Sequence, residues 1–199
     1  MIAEKFISIA VDVQKGFCPG GNLAVKNGDK VVEPANRVNA AVKKRGGMVL
    51  LSRDWHDENM KQHFEDFPPH CVANTPDAEF HDDLDVSLAD CIISKGMDPN
   101  SQAFSFLEGI VEGIDEAPEE LIRGWHITRA FVSGLALEYC VLAAVLGLRK
   151  LGYAVTLVID ATRAVNIAPD ADILAIAEML NAGATIMTTD QAVEFIKAA

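Results

Sequence analysis

Short, unbroken apolar runs alternate with amphipathic stretches along this chain. The runs are Phe6–Val13 (FISIAVDV), Met48–Ser52 (MVLLS), Asp90–Ser94 (DCIIS), Ala130–Ser133 (AFVS), Ala154–Ile159 (AVTLVI) and Thr185–Thr188 (TIMT). They are too short for buried helices and show little inside–outside alternation. That pattern predicts strands of a parallel sheet covered on both faces. Between them, Glu33–Arg45 (EPANRVNAAVKKR) carries a proline suited to a first helical turn and ends at Gly46-Gly47, which predicts a helix. Glu138–Leu151, stopped by Gly152, and Pro169–Asn181, stopped near Gly183, predict two more, and the last turns from Asp190 a further one. The alternating order implies a three-layer, doubly wound α/β fold with a six-stranded parallel sheet, one domain over residues 1–199.

In such sheets the binding crevice lies beyond the C-terminal ends of the strands. The residues at those ends are chemically capable. Asp12 closes the first run, Asp54 and His56 follow the second, Lys95 the third, and Cys140 comes just after the fourth near a helix start. A carboxylate inside IAVDVQ is costly unless paired, so Asp12 is either a structural ion-pair partner or a general base. Lys95 is either a solvated lysine at the end of its run or, if it stands beside a carboxylate and a thiol, a group that lowers the thiol pKa and holds the carboxylate charged. Free cysteines are commonly small apolar fillers. Cys140 differs because a helix N-terminus favours a thiolate and can hold an oxyanion. Cys18, Cys71 and Cys91 lack that setting and read as structural.

Asp54-Trp-His56 places two ligands on one side of an extended segment. His63 and His70 follow in the next loop. One carboxylate and several imidazoles suit Zn, Fe or Mn, so one divalent ion is expected. The alternative is a set of surface histidines in a polar loop. His81 and His126 read as ordinary polar positions.

Composition narrows the partners. The chain has 199 residues, is 50% hydrophobic, and carries 17 Lys plus Arg against 29 Asp plus Glu, a net charge of −12. With no basic stripe, nucleic acid and anionic membranes are not expected partners. No run reaches the ~18 apolar residues of a membrane span. The Phe6–Val11 run lacks the form of a signal peptide, and the four cysteines form no CxxC pair, so free thiols in a reducing cytoplasm are expected.

The ordered segments resemble the nicotinamidase branch of the isochorismatase-like cysteine hydrolases. VDVQKGFCPGGNLAV with the following NGD, SRDWH, FPPHCVANTPDAEFH, ISKGMDP, GLALEYCV and LVIDATRAV match that family's segments in order over most of the length. The resemblance implies that Asp12, Lys95 and Cys140 form a catalytic triad and that Asp54, His56 and His70 bind the metal. It implies a cis peptide before Ala136, with the Ala136 and Cys140 N–H groups forming an oxyanion hole. Phe17 and Phe67 match ring-packing positions, and Phe104 begins the altered wall Phe104-Ser105-Phe106-Leu107. His63 is spaced differently from a fourth ligand seen in some relatives, so that ligand stays open. Many members carry Trp at Phe67 and Asp at Gly16 and Glu138. The implied activity is metal-dependent hydrolysis of nicotinamide to nicotinate and ammonia through a Cys thioester, in NAD salvage. Another small-amide cysteine hydrolase, or a non-catalytic ligand-binding relative, is the alternative. A small-molecule amide and a homo-oligomer are the implied partners.

Overall fold

Strands β1 (Phe6–Val11), β2 (Met48–Asp54), β3 (Cys91–Lys95), β4 (Ile110–Val111), β5 (Arg129–Leu135), β6 (Ala154–Arg163) and β7 (Thr185–Met187) form one sheet in the computed structural model, which describes residues 4–199. Their order is β4-β3-β2-β1-β5-β6-β7. Every pairing is parallel except β3 with β4, where Ile93 faces Val111. The expected six-stranded sheet therefore becomes seven-stranded. The added strand is a two-residue antiparallel edge, too short to register as a hydrophobic run. The expected 1–199 domain includes residues 1–3, which lie outside the described residues.

Helices α1 (Val32–Lys44), α2 (Lys61–Asp66), α3 (Pro118–Gly124), α4 (Leu142–Lys150), α5 (Ala171–Asn181) and α6 (Thr189–Ala198) complete the layers. The first predicted helix is observed as α1. Its buried Val32, Ala35, Val38, Asn39 and Val42 recur at helical spacing, and Gly46 follows in the left-handed region at φ 78°. Thr188 caps α6 reciprocally with Gln191. The predicted Glu138–Leu151 helix is two pieces, a π-helical turn at Leu137–Val141 and then α4. β1 ends at Val11 rather than Val13, and β6 runs on past Ile159 to Arg163. Helices α2 and α3 were not predicted, being too short for a readable period.

β1 shows why its sequence does not alternate. Ile7, Ile9 and Val11 pack with residues of α3, α4 and α5, while Phe6 joins Val38 and Val42 of α1 and Ile196 of α6 on the other face. Both faces need apolar side chains. Ser8 is the exception on this strand. Its buried hydroxyl donates to Asn39 Oδ1 of α1 at 2.6 Å. Ser8→Ala leaves that oxygen buried without its donor, and a loss of about 1–3 kcal/mol is expected, read as a lower urea midpoint at unchanged slope.

The sheet order reverses direction at β1, so β2 and β5 leave its two sides. That is the topological switch point, where the crevice opens. No described helix is long and apolar enough to cross a membrane.

Candidate active site

Three neighbouring strand ends deliver a buried ionic cluster. Asp54 and Lys95 are register partners at the ends of β2 and β3. Asp12 follows β1 at φ 49°, and its N–H donates to Ser52 O at 3.1 Å. Lys95 Nζ lies 3.0 Å from Asp12 Oδ2, donates to Asp54 Oδ1, and stands 3.4 Å from Cys140 Sγ. Asp12 Oδ1 also accepts from the Ser52 hydroxyl at 2.7 Å. Lys95 is 1% exposed and Asp12 0%, so the ammonium meets carboxylates and a thiol where water would stand in an exposed site.

Cys140 comes from the π-helical turn after β5. The Leu135–Ala136 peptide is cis, and the Ala136 carbonyl accepts from Tyr139 N and Val141 N at 3.1 and 3.2 Å. The turn thus folds back on itself and presents Cys140 above the ends of β1 and β3.

Charge states follow from burial against pairing. For Asp54 burial works to raise the pKa, but Lys95 outweighs it and holds the carboxyl below the usual range. For Asp12 burial wins over Lys95, and the pKa rises. Burial also pushes the Cys140 thiol well above its ordinary value, with Lys95 opposing. Lys95 thus acts in the expected direction, but burial outweighs it. A helix start and one ammonium do not offset removal of the sulfur from water. Burial works against the Lys95 charge, yet Asp12, Asp54 and Cys140 together raise its pKa well above normal.

Next to the cluster, His56, His63 and His70 each offer a ring nitrogen, and the three atoms lie within 4.8 Å of one another. Asp54 Oδ2 is 3.5 Å from His56 Nε2 and 3.9 Å from His70 Nε2. Each Nδ1 is engaged from behind: His56 with Gly96 O at 3.0 Å, His63 with Gln102 Oε1 at 2.7 Å, His70 with Pro68 O at 2.7 Å. That arrangement fixes the tautomer with the Nε2 lone pair free, as in metal-ligating histidines. His56 Nε2 and His63 Nε2 are buried without a hydrogen-bond partner. Burial lowers the His63 pKa and takes that of His70 down to about 4, favouring neutral rings. Three imidazoles and a carboxylate fit a divalent Zn, Fe or Mn ion. His63 stands on α2, not in the expected loop, and the helix turns it toward the other two.

Gly96 sits against this cluster at φ 73°, and a Cβ there would lie 2.4 Å from His56 Cε1 and Nδ1. Gly96→Ala should displace the ring and weaken metal affinity about 10–100-fold, measured by chelator competition.

A pocket of about 500 Å³, mouth included, opens over both clusters. Phe17, Phe67 and Phe104 line it, as do Asp54, His63, His70, Lys95, Ala136 and Cys140. Of the altered wall, Phe104 faces the pocket, while Phe106 and Leu107 belong to the core. Tyr139 completes an aromatic side, its ring 5.6 Å from Phe67 and 6.0 Å from Phe104. Tyr139, Val165 and Ile167 were missed by sequence reasoning. Tyr139's place beside Cys140 was the available signal, and no local pattern marks the other two. Gln14 was missed as well. It is buried, accepts from Asp54 N and donates to Asp54 O, both at 2.8 Å, locking the end of β2.

Gly16 packs beside the pocket loop without room for a side chain. A Cβ there would lie 2.7 Å from both Asp77 Oδ2 and Cys71 Sγ. The Asp77 carboxylate fills that space and accepts from Asn22 N at 3.0 Å and Cys71 N at 2.8 Å. Cys18, Cys71 and Cys91 are free and buried outside the triad. Burial raises their pKa values, to about 11 for Cys18 and about 12 for Cys91. His81 and His126 lie outside both clusters.

A parallel α/β sheet with an acid, a lysine and a thiol at its switch point places this chain in a known class. A family model described as the isochorismatase domain matches residues 7–191, and the chain belongs to that family. Within it, the similarity is to nicotinamidases. The chain is 34% identical over 198 residues to the nicotinamidase of Escherichia coli K12, covering 90% of this chain and 93% of that protein. It is 29% identical to the nicotinamidase/pyrazinamidase of Mycobacterium tuberculosis, covering 90% and 96%. Among solved structures it resembles the pyrazinamidase of Pyrococcus horikoshii in complex with zinc, at TM-score 0.80 and 36% identity, covering 92% and 99%. It also resembles PnC1 of L. infantum in complex with nicotinate, at TM-score 0.83 and 29% identity, covering 94% of each chain.

Proposed function

We propose that this chain hydrolyses nicotinamide to nicotinate and ammonia, with Asp12, Lys95 and Cys140 as the catalytic triad. The observation that carries the reading is Lys95 Nζ, buried 3.0 Å from Asp12 Oδ2 and 3.4 Å from Cys140 Sγ on the floor of an aromatic pocket. The nicotinamidase relatives support it.

The chemistry follows from the charge states. The thiol is protonated at rest, so it needs a base, and Asp12, with its raised pKa, is a stronger base than an ordinary carboxylate. Asp12 removes the proton as Cys140 Sγ attacks the amide carbon. Lys95 balances the negative charge that passes between them. The Ala136 and Cys140 N–H groups receive the oxyanion, a contribution typically worth 10²-fold or more. The C–N bond breaks as Asp12 returns its proton to the leaving nitrogen, giving ammonia and a Cys140 thioester. Water then attacks the thioester, Asp12 takes one of its protons, and nicotinate leaves as Cys140 regains a proton. Phe17, Phe67 and Phe104 hold the ring.

Asp54, His56, His63 and His70 would hold a divalent ion, Zn first and Fe or Mn as substitutes. Such an ion supplies an electrophilic anchor for a substrate lone pair. The zinc complex of the Pyrococcus relative supports this choice. The reaction belongs to cytoplasmic NAD salvage, where free thiols persist.

The test is ammonia release from a panel of nicotinamide, pyrazinamide and aliphatic amides by metal-loaded protein. Nicotinamide and pyrazinamide are turned over in preference to aliphatic amides. No release from nicotinamide overturns the reading.

A further inference from the structure

The loop that follows β6 forms part of the pocket wall; Ala164 and Val165 pack partly buried against the core, and beyond them the chain is exposed. Asn166 and Ile167 are exposed, Ile167 at 68%, and Val165 and Ile167 both line the pocket. Its backbone is also tied by a side chain from the nucleophile turn. Glu138 Oε1 accepts from Val165 N at 2.9 Å and from Asn166 N at 2.6 Å, and Oε2 stands 3.2 Å from Val165 N. Asn166 is in the left-handed region at φ 54°, and its side-chain oxygen accepts from Asp172 N at the start of α5 at 3.0 Å. Glu138 itself lies on the π-helical turn, two residues before Cys140.

We propose that Glu138 is a positioning residue for substrate selection: its carboxylate ties the 164–167 strap to the nucleophile turn and so sets the width of the pocket. The inference rests on the amidase reading above and deepens it. Two backbone N–H groups on one carboxylate are charge-assisted bonds, stronger than neutral ones, and at the exposed Asn166 they hold the strap where burial does not. Because the same turn carries Cys140, wall and nucleophile keep a fixed separation. Val165 and Ile167 share the pocket lining with Phe67 and Phe104, so the strap's position sets the room left for a ring there. Bulkier amides are excluded by the tied strap rather than by the core.

Glu138→Ala and Glu138→Gln are compared with wild type on nicotinamide and on a ring-methylated nicotinamide. Amide hydrogen exchange at Val165 and Asn166 is followed in all three. In Glu138→Ala, KM for nicotinamide rises ~10-fold while kcat changes less than ~3-fold. Preference for nicotinamide over the methylated ring narrows, and exchange at the two amides quickens ~10²-fold. Glu138→Gln keeps one acceptor oxygen and falls between.

Unchanged KM and unchanged exchange in a folded Glu138→Ala protein overturn the proposal. So does a fall in kcat at constant KM, which would place the effect on Cys140. Should Glu138→Ala not fold, the same two readouts on Glu138→Gln decide. Should wild type leave nicotinamide intact, the amidase reading falls alone, and exchange at Val165 and Asn166 still decides whether Glu138 ties the strap.

Discussion

Cys140→Ala lowers ammonia release from nicotinamide by at least ~10³-fold while the protein stays folded. The sulfur is the attacking atom in the proposed reaction, and no neighbouring group replaces it. Cys18, Cys71 and Cys91 are buried outside the triad. The Lys95 amine is held as an ammonium by two carboxylates, which removes its lone pair. The substitution also removes a thiol 3.4 Å from Lys95 without unpairing a carboxylate, so stability should change little. A melting temperature within a few degrees of wild type, together with lost turnover, is the expected pair of results. Retained turnover would assign the chemistry elsewhere.

Lys95→Met is the second large effect, and it acts on both folding and activity. Asp12 and Asp54 are 0% and 3% exposed and share this one ammonium. Removing one partner of a buried ion pair typically costs about 3–5 kcal/mol, because the remaining charge is left uncompensated. Methionine keeps most of the volume, so the loss reports charge rather than a cavity. The sign with pH is set by the carboxylates. Without Lys95, Asp54 loses the partner that holds its pKa low and the already raised Asp12 rises further, so the folded state binds more protons than the unfolded state. Stability of the variant then falls as pH rises above the ordinary aspartate range. The gap in melting temperature between wild type and Lys95→Met should be narrow near pH 4 and wide near pH 8. A gap independent of pH would mean that the carboxylates are compensated by another group.

The two predictions differ because the residues enter the site differently. Cys140 is carried on a turn whose backbone is self-sufficient, whereas Lys95 is the counter-ion of the strand ends themselves. The loss of Lys95 is therefore also a fold defect.

Much of this arrangement was readable in the chain. The strands on either side of the switch point carry apolar residues on both faces, and that makes them visible as runs. Asp12, Asp54 and Lys95 stood out because charged residues close those runs, where burial demands a partner. The edge strand Ile110–Val111 and helix α2 were not readable, since two and six residues carry no period. The thiol's state was not readable for a similar reason. A nearby lysine is visible in sequence, but the degree of burial that outweighs it is not.

By itself the sequence determined a doubly wound parallel sheet and the residue types at its strand ends. Hydrophobic periodicity and the cost of an unpaired charge are local and directional along the chain. Tertiary structure decided the rest. It brought His63 to His56 and His70, packed Asp77 against Gly16, and tied the 164–167 strap to Glu138. Those contacts join segments separated by many residues. Their energies depend on distance, burial and orientation, none of which is written in the spacing of residues along one strand.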